Sequence, residues 1–279
     1  MLRGRSFVGS GSLFISELSV LFRRRRTWAM LSTISLIPIF LAIAVALSGS
    51  ALPPGEGPPF LDRVSQNGLF VGFTAMIMAI PLFLPLTVGV VAGDTIAGEA
   101  STGTLRYLLI APVNRAKLLF VKFLGAAAFS IAATFTLMIT GIIIGVILFP
   151  VGPVTLLSGD VVSIPQALLR IFLVAIYVTI SLLGLSAIGL FISTLTVIPV
   201  GAMAATVVVS TVSQILGTLP QLESIHPYLL SYYWLGFADL LRNPMDLGSM
   251  ASNALLQLSY IAIFGSLAYS RFTSKDILS

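Results

Sequence analysis

Side chains able to do chemistry are scarce in this chain, and most stand in one stretch. GDTIAGEASTGTLRYLLIAPVNRAKLLFVK, from Gly93 to Lys122, carries two carboxylates, Asp94 and Glu99, and four cations, Arg106, Arg115, Lys117 and Lys122. Two readings of the carboxylates are open: they pair with Arg106, Arg115 or Lys117 and brace a loop, or they face water as topology residues. Bracing is favoured for Glu99, because an exposed pair contributes only about 0–1 kcal/mol and positions little. Catalytic partners are missing. The single histidine, His226, stands beside Pro227, whereas zinc usually takes three or four protein ligands. There is no cysteine, which excludes disulfides and thiolate metal sites. Neither G-x-x-x-x-G-K-S/T nor H-E-x-x-H occurs, so the chain has no P-loop to cradle nucleotide phosphates and no zinc-protease helix.

The elements that position these residues follow from composition. The 279 residues are 57% hydrophobic and 9% charged, against about a quarter charged in soluble domains, and the mean hydropathy is +1.05. Such a chain is built for lipid. Six runs approach or exceed the roughly 20 residues a helix needs to span a bilayer: 28–47, 69–92, 118–149, 167–192, 198–219 and 251–268. The third is long enough to tilt or project. Pro199 suits the first turn of the fifth. Asn253 and Gln257 make the sixth the weakest. The fold class expected is therefore all-α membrane protein in a single domain, 1–279, with residues 1–27 before the spans and 271–279 after them. The first apolar run lacks a cleavage pattern and reads as a retained span, not a signal peptide.

Twelve of the fifteen Lys and Arg residues fall on one side of these spans: Arg3, Arg5, Arg23 to Arg26, Arg106, Arg115, Lys117, Lys122, Arg271 and Lys275. Only Arg63, Arg170 and Arg242 fall on the other. The positive-inside rule then puts both termini and the quoted stretch in the cytoplasm. Residues 48–68, 150–165 and 220–250 become external loops. The last is rich in aromatics, and Tyr232, Tyr233 and Trp234 suit helices at the membrane interface. Arg170, in the first turn of span four, reads as a snorkelling anchor. Before span one, Phe14, Leu18, Leu21 and Phe22 recur at helical spacing, with Ser16, Glu17 and Ser19 away from them. That pattern predicts an interfacial helix on the inner leaflet. Net charge of +5 is thus explained by topology and implies no nucleic-acid partner.

No Ser/His/Asp constellation can be assembled at one depth of the membrane, and no acidic residue lies mid-span. Carriers coupled to protons or sodium usually need carboxylates or broken helices near the midplane. Energy for any uphill movement would come from outside the chain. Within the quoted stretch, Thr104 is a candidate N-cap, and Leu105, Leu108 and Leu109 share one face of a short helix from which Arg106 points away. Pro112 stops it, and Asn114 caps the next helix. A helix of under two turns needs a surface to pack on, either the membrane or the protein's own loops, or a partner.

The run Asp94-x-x-x-x-Glu99, Gly103-Thr104-Leu105, Leu108-Leu109, Pro112-Val113-x-Arg115 and Lys122-Phe123 resembles the signature loop of ABC-2-type exporter permeases. It resembles in particular the branch holding the nitrous-oxide-reductase maturation permease and small bacterial drug or lipid exporters. The ending SRFTSKDIL, with Phe272 and Asp276, is similar too. The resemblance implies a non-enzymatic permease of the bacterial inner membrane. It would pair with a second permease subunit, identical or not, and with two ATPase subunits. ATP and magnesium would be bound by those subunits and no cofactor by this chain. The coupling helix docked on the ATPase would be carried by Thr104, Leu105, Arg106, Leu108, Leu109, Pro112 and Arg115.

Spans two and five would approach the dimer axis. Phe73, Met76, Phe83, Thr206, Ser210 and Gln214 are candidate path-lining residues, with ordinary helix packing as the alternative for each. So few polar groups suit an amphipathic or lipid-like substrate. Lipid extraction, assistance to maturation of an extracytoplasmic enzyme, or a non-transporting scaffold are the other readings. Gly201, Ala205, Ser213 and Gly217 form a small stripe on span five, and Gly141 and Gly145 another on span three.

Overall fold

In hydrocarbon every backbone N–H and C=O must be paired within the segment, so long apolar runs can only be helical. A computed structural model describes residues 10–48, 61–104 and 114–274 and shows this throughout. Helix α1 (Ser10–Arg23) turns at Arg24 into α2 (Arg25–Ser48). The corner is held by side chains that take the last carbonyls of α1. Thr27 Oγ1 donates to Leu21 O at 2.6 Å, and Trp28 Nε1 donates to Phe22 O at 2.8 Å. A single turn, α3 (Leu61–Val64), precedes α4 (Phe70–Ala79) and α5 (Phe83–Ser101). Then come α6 (Arg115–Leu148), α7 (Ile164–Leu195), α8 (Pro199–Gly217) and α9 (Gly248–Ser274). Among the described residues six helices are long and apolar enough to cross a membrane: α2, α5, α6, α7, α8 and α9.

Span two departs from expectation. The apolar run 69–92 is not one helix: α4 ends at Ala79 and α5 begins at Phe83, continuing to Ser101. Two prolines four residues apart explain the break. Neither Pro81 nor Pro85 has an N–H, and Pro85 would have been the helical partner of Pro81 O. Gln214 Nε2, from α8, donates to that orphaned carbonyl at 2.8 Å.

Glycines let the helices approach. A Cβ on Gly145 would stand 2.0 Å from Gly68 O, and one on Gly141 would stand 2.7 Å from Gly72 Cα. The stripe on span three is therefore a crossing with Gly68 and Gly72, a close-packed contact of backbone on backbone. In α5, a Cβ on Gly93 would stand 2.7 Å from Met203 N of α8. Thus α5 lies between α7 and α8, α9 lies along α7, and α6 packs on α2, α4 and α7.

On α8 the face turned inward is Ala202, Thr206, Ser210 and Ser213. The small stripe read from the sequence sits largely aside from it, with Gly201 and Gly217 exposed.

The two ends of the bundle differ. One gathers the later part of α1, the start of α2, the end of α5, the start of α6 and the end of α9. The other holds an antiparallel hairpin, β1 (Val154–Thr155) with β2 (Val161–Val162), and two 3₁₀ segments, Pro220–Tyr228 and Gly236–Leu241. The strands are an addition to the all-helical expectation. Asn67 Nδ2 donates to Gly152 O at 2.9 Å, tying the segment before β1 to the turn ahead of α4. Trp234, read as an interfacial anchor, is buried instead, as are Phe237, Leu240 and Leu241. Arg170 does not snorkel: it is buried and donates to Leu240 O and, at 2.8 Å, to Arg242 O. Asn253 and Gln257, the polar residues in span six, are buried and paired. Asn253 Nδ2 donates to Ser181 Oγ at 2.8 Å, and Gln257 Nε2 to Leu230 O at 3.1 Å.

Candidate functional site: the charged end of the bundle

The last two turns of α5 bring Asp94 and Glu99 to the charged end, facing different neighbours. Asp94 Oδ2 accepts from Arg24 Nη1 at 3.0 Å and from Arg26 Nη2, so it binds the corner between α1 and α2. Glu99 Oε1 accepts from Lys122 Nζ, which also donates to Glu17 Oε2 at 2.7 Å. Lys122 is 2% exposed. One buried ammonium therefore joins α1, α5 and α6, in surroundings where an unpaired charge would be costly. Glu99 Oε2 is buried and takes no hydrogen bond from the described residues.

Asp94 and Glu99 are thus paired across helices, with Arg24, Arg26 and Lys122; Arg106, one of the partners expected for them, lies outside the described residues. Arg115 lies instead at the end of α9, where Nη1 donates to Phe272 O and Thr273 O, both at 3.0 Å. It satisfies carbonyls that a helix C-terminus leaves open. Glu17, placed on the polar side of α1 by its spacing, faces Lys122 and Gly125 inside the protein.

Beyond α5 the chain turns. Gly103 has φ +71°, a left-handed conformation natural to glycine just past a helix end. Ser101, Thr102 and Thr104 return hydroxyls to α5: Thr102 Oγ1 donates to Gly98 O at 3.1 Å and Thr104 Oγ1 to Glu99 O at 3.2 Å. Thr104, itself helical just past this turn, thus bonds back to α5, and the helix it was expected to cap falls on residues outside those described. Leu105, Arg106, Leu108, Leu109 and Pro112 lie outside them as well. Asn114 caps α6 as read, its Oδ1 accepting from Ala116 N at 2.9 Å.

Phe272 of α9 is buried with Ile96, Leu118, Leu119 and Leu190, so four helices converge beside this turn. Among the described residues no group of three or more His, Asp or Glu side chains could hold a metal ion.

Residues 13–213 match the family model described as ABC-2 family transporter protein. The chain belongs to the ABC-2 transporter family. No curated protein matches it significantly. An ABC-2 protein is the transmembrane component of an ABC transporter, is not itself catalytic, and typically pairs with ATP-binding subunits. With six apolar helices this one is a multi-pass membrane protein.

The six path candidates of this ABC-2 chain have distinct surroundings. Phe73 and Met76 are enclosed within the protein. Thr206 and Ser210 are buried, Thr206 against Gly89 of α5, and bond their own helix, to Ala202 O at 2.7 Å and Val207 O at 2.8 Å. Gln214 takes the Pro81 carbonyl. Phe83 is 38% exposed at the start of α5, on the bundle surface with Leu82 and Leu86. The sequence reading missed Glu17, Arg24, Arg26 and Lys122 as a set. The signal for Lys122 was present in the run LLFVKFLG, a lone cation within apolar helix that needs a counter-ion.

Proposed function

We propose that this chain is the permease of an ATP-driven exporter in a bacterial cytoplasmic membrane, with the charged end and both termini inside. Two permease subunits would work with two separate ATPase subunits, which bind ATP and magnesium. The short helix predicted over 105–110 would dock on the ATPase through Leu105, Leu108 and Leu109. One observation carries this reading. The turn leading into that segment is rooted at Glu99, and Glu99 is tied through Lys122 to Glu17, so a push at the turn reaches α1, α5 and α6 together. Coupling requires such an element with two arrangements, not mere proximity.

An amphipathic or lipid-like substrate suits the apolar faces around Phe83 and the outer face of α8. The same chemistry would serve a small drug or lipid exporter of the branch that the loop motif resembles. Leu108→Asp tests the docking. The variant should fold and insert, yet lose its ATPase partner on purification or leave ATP hydrolysis uncoupled from transport. Unchanged coupled transport would sink the assignment. Stimulation of the reconstituted complex by a polar sugar, and by no lipophilic compound, would reverse the substrate reading.

A further inference from the structure

One hydroxyl in this bundle is set inside the hydrogen-bond ladder of another helix. Ser193, on α7, is fully buried. Its Oγ donates to Gly93 O at 2.7 Å and accepts from Ala97 N at 2.8 Å and Ile96 N at 3.0 Å, all on α5. In an undisturbed helix Gly93 C=O and Ala97 N–H are each other's partners. A hydroxyl between them offers both groups a second choice, a recognised origin of helix bends. Thr134, Ser181 and Ser186, buried as well, instead donate to a carbonyl of their own helix: Thr134 to Ser130, Ser181 to Tyr177, Ser186 to Leu182.

The packing of α5 changes at the same level. Up to Gly93 it is gripped by α7 and α8: a Cβ on Gly189 would stand 2.6 Å from Ala92 Cβ, and Gly93 lies on the Met203 backbone. From Asp94 onward its charged side chains belong to α1, α2 and α6 through Arg24, Arg26 and Lys122. The Asp94 carboxylate lies over Gly98, where a Cβ would be 2.5 Å from Oδ1. So α5 has two clamped parts, and Ser193 addresses the turn between them.

We infer that Ser193 is the positioning residue of a hinge in α5. Its hydroxyl lets the turn Gly93–Ala97 exchange between a direct backbone pair and a hydroxyl-bridged form, so that the end Gly98–Thr104 tilts against α7 and α8. The use of this motion in transport rests on the function proposed above; the hinge is a property of the chain itself.

The chain has no native cysteine, so a spin-label pair at Thr102→Cys and Val197→Cys, both exposed positions, needs no background changes. Pulsed dipolar spectroscopy on the purified chain in lipid nanodiscs should give two distance populations with Ser193 present. Ser193→Ala should give one, with at least tenfold slower amide exchange at Ile96 and Ala97. Ser193→Thr, which keeps the hydroxyl, should keep both populations. Identical distributions in parent and Ser193→Ala overturn the hinge, as does a lowered melting temperature with the distribution unchanged. In the complex with its ATPase, ATP should shift the parent between the two distances and leave Ser193→Ala in place. A complex that ignores ATP, while the free chain keeps both distances, counts against the transport reading and not against the hinge.

Discussion

Lys122 and Arg170 are both cations buried among apolar helices, at opposite ends of the bundle, and their partners are of opposite kinds. Lys122 sits between two carboxylates, Glu17 and Glu99, contributed by α1 and α5. Arg170 faces two neutral carbonyls, Leu240 and Arg242, two residues apart at the end of the 3₁₀ segment Gly236–Leu241. An ammonium is a compact charge that serves several anions at once, whereas Arg170 gives both carbonyls the two N–H groups of one nitrogen, Nη1, held in the guanidinium plane. The charged end is therefore joined by charge balance among helices that the proposed function requires to move together. The far end is joined by hydrogen bonds that give an otherwise unpaired backbone a place to stop.

Removing the ammonium should do the most damage. Lys122→Ala leaves Glu17 and Glu99, both largely shielded from water, without a counter-charge, and should destabilise the protein by about 3 kcal/mol in thermal or denaturant unfolding. Adding Glu17→Gln and Glu99→Gln to that variant should restore most of the loss. A single-variant effect near zero would end the ionic account. Arg170→Met should cost less, about 1.5–3 kcal/mol for lost hydrogen bonds from a charged donor. The damage should be local, with amide exchange rising across residues 236–242 and little change at Glu99. Arg170→Lys should recover only part, because the shorter lysine stem does not carry its ammonium to the place of Nη1.

Asp94→Asn sharpens the comparison within the charged end. The Arg24 and Arg26 side chains are 44% and 42% exposed, so solvent screens these pairs, and the loss should be at most about 1 kcal/mol. It should shrink further as salt is raised, while the Lys122 and Arg170 effects persist. The smallest effect is expected in the middle, where Thr134 and Thr179 share a hydrogen bond of 2.8 Å between α6 and α7. Thr134→Val should cost roughly 0.6 kcal/mol, the usual value for a hydroxyl contact between membrane helices.

Much of this architecture is legible in the residues. The apolar runs locate α2, α6, α7, α8 and α9 closely, Pro199 marks the start of α8, and Asn114 the start of α6. The break in span two was within reach, since Pro81 and Pro85 remove two N–H groups from a single helix. The inward face of α8 was not. With Gly201, Ala202, Ala204, Ala205 and Thr206 close together, small residues lie all round the helix and periodicity selects no side. Of the candidate site, the carboxylates were visible and their partners were not. Glu17 and Lys122 are 105 positions apart, and Asp94 and Arg24 are 70 apart, so no local pattern links them. The arginines also had a sufficient explanation in topology, which concealed their second role.

By itself the sequence determined that this protein lives in lipid, crosses it as helices, collects its cations at one end and carries a loop that resembles the signature loop of ABC-2 permeases. Those properties follow from composition, from backbone pairing in hydrocarbon and from motif spacing, each of which is local. The tertiary structure alone decided which cation meets which carboxylate, which glycine meets which backbone, and that Ser193 enters the ladder of α5. Those depend on how helices distant in sequence cross. Crossing is set by the shapes of whole faces, and no single segment contains that information.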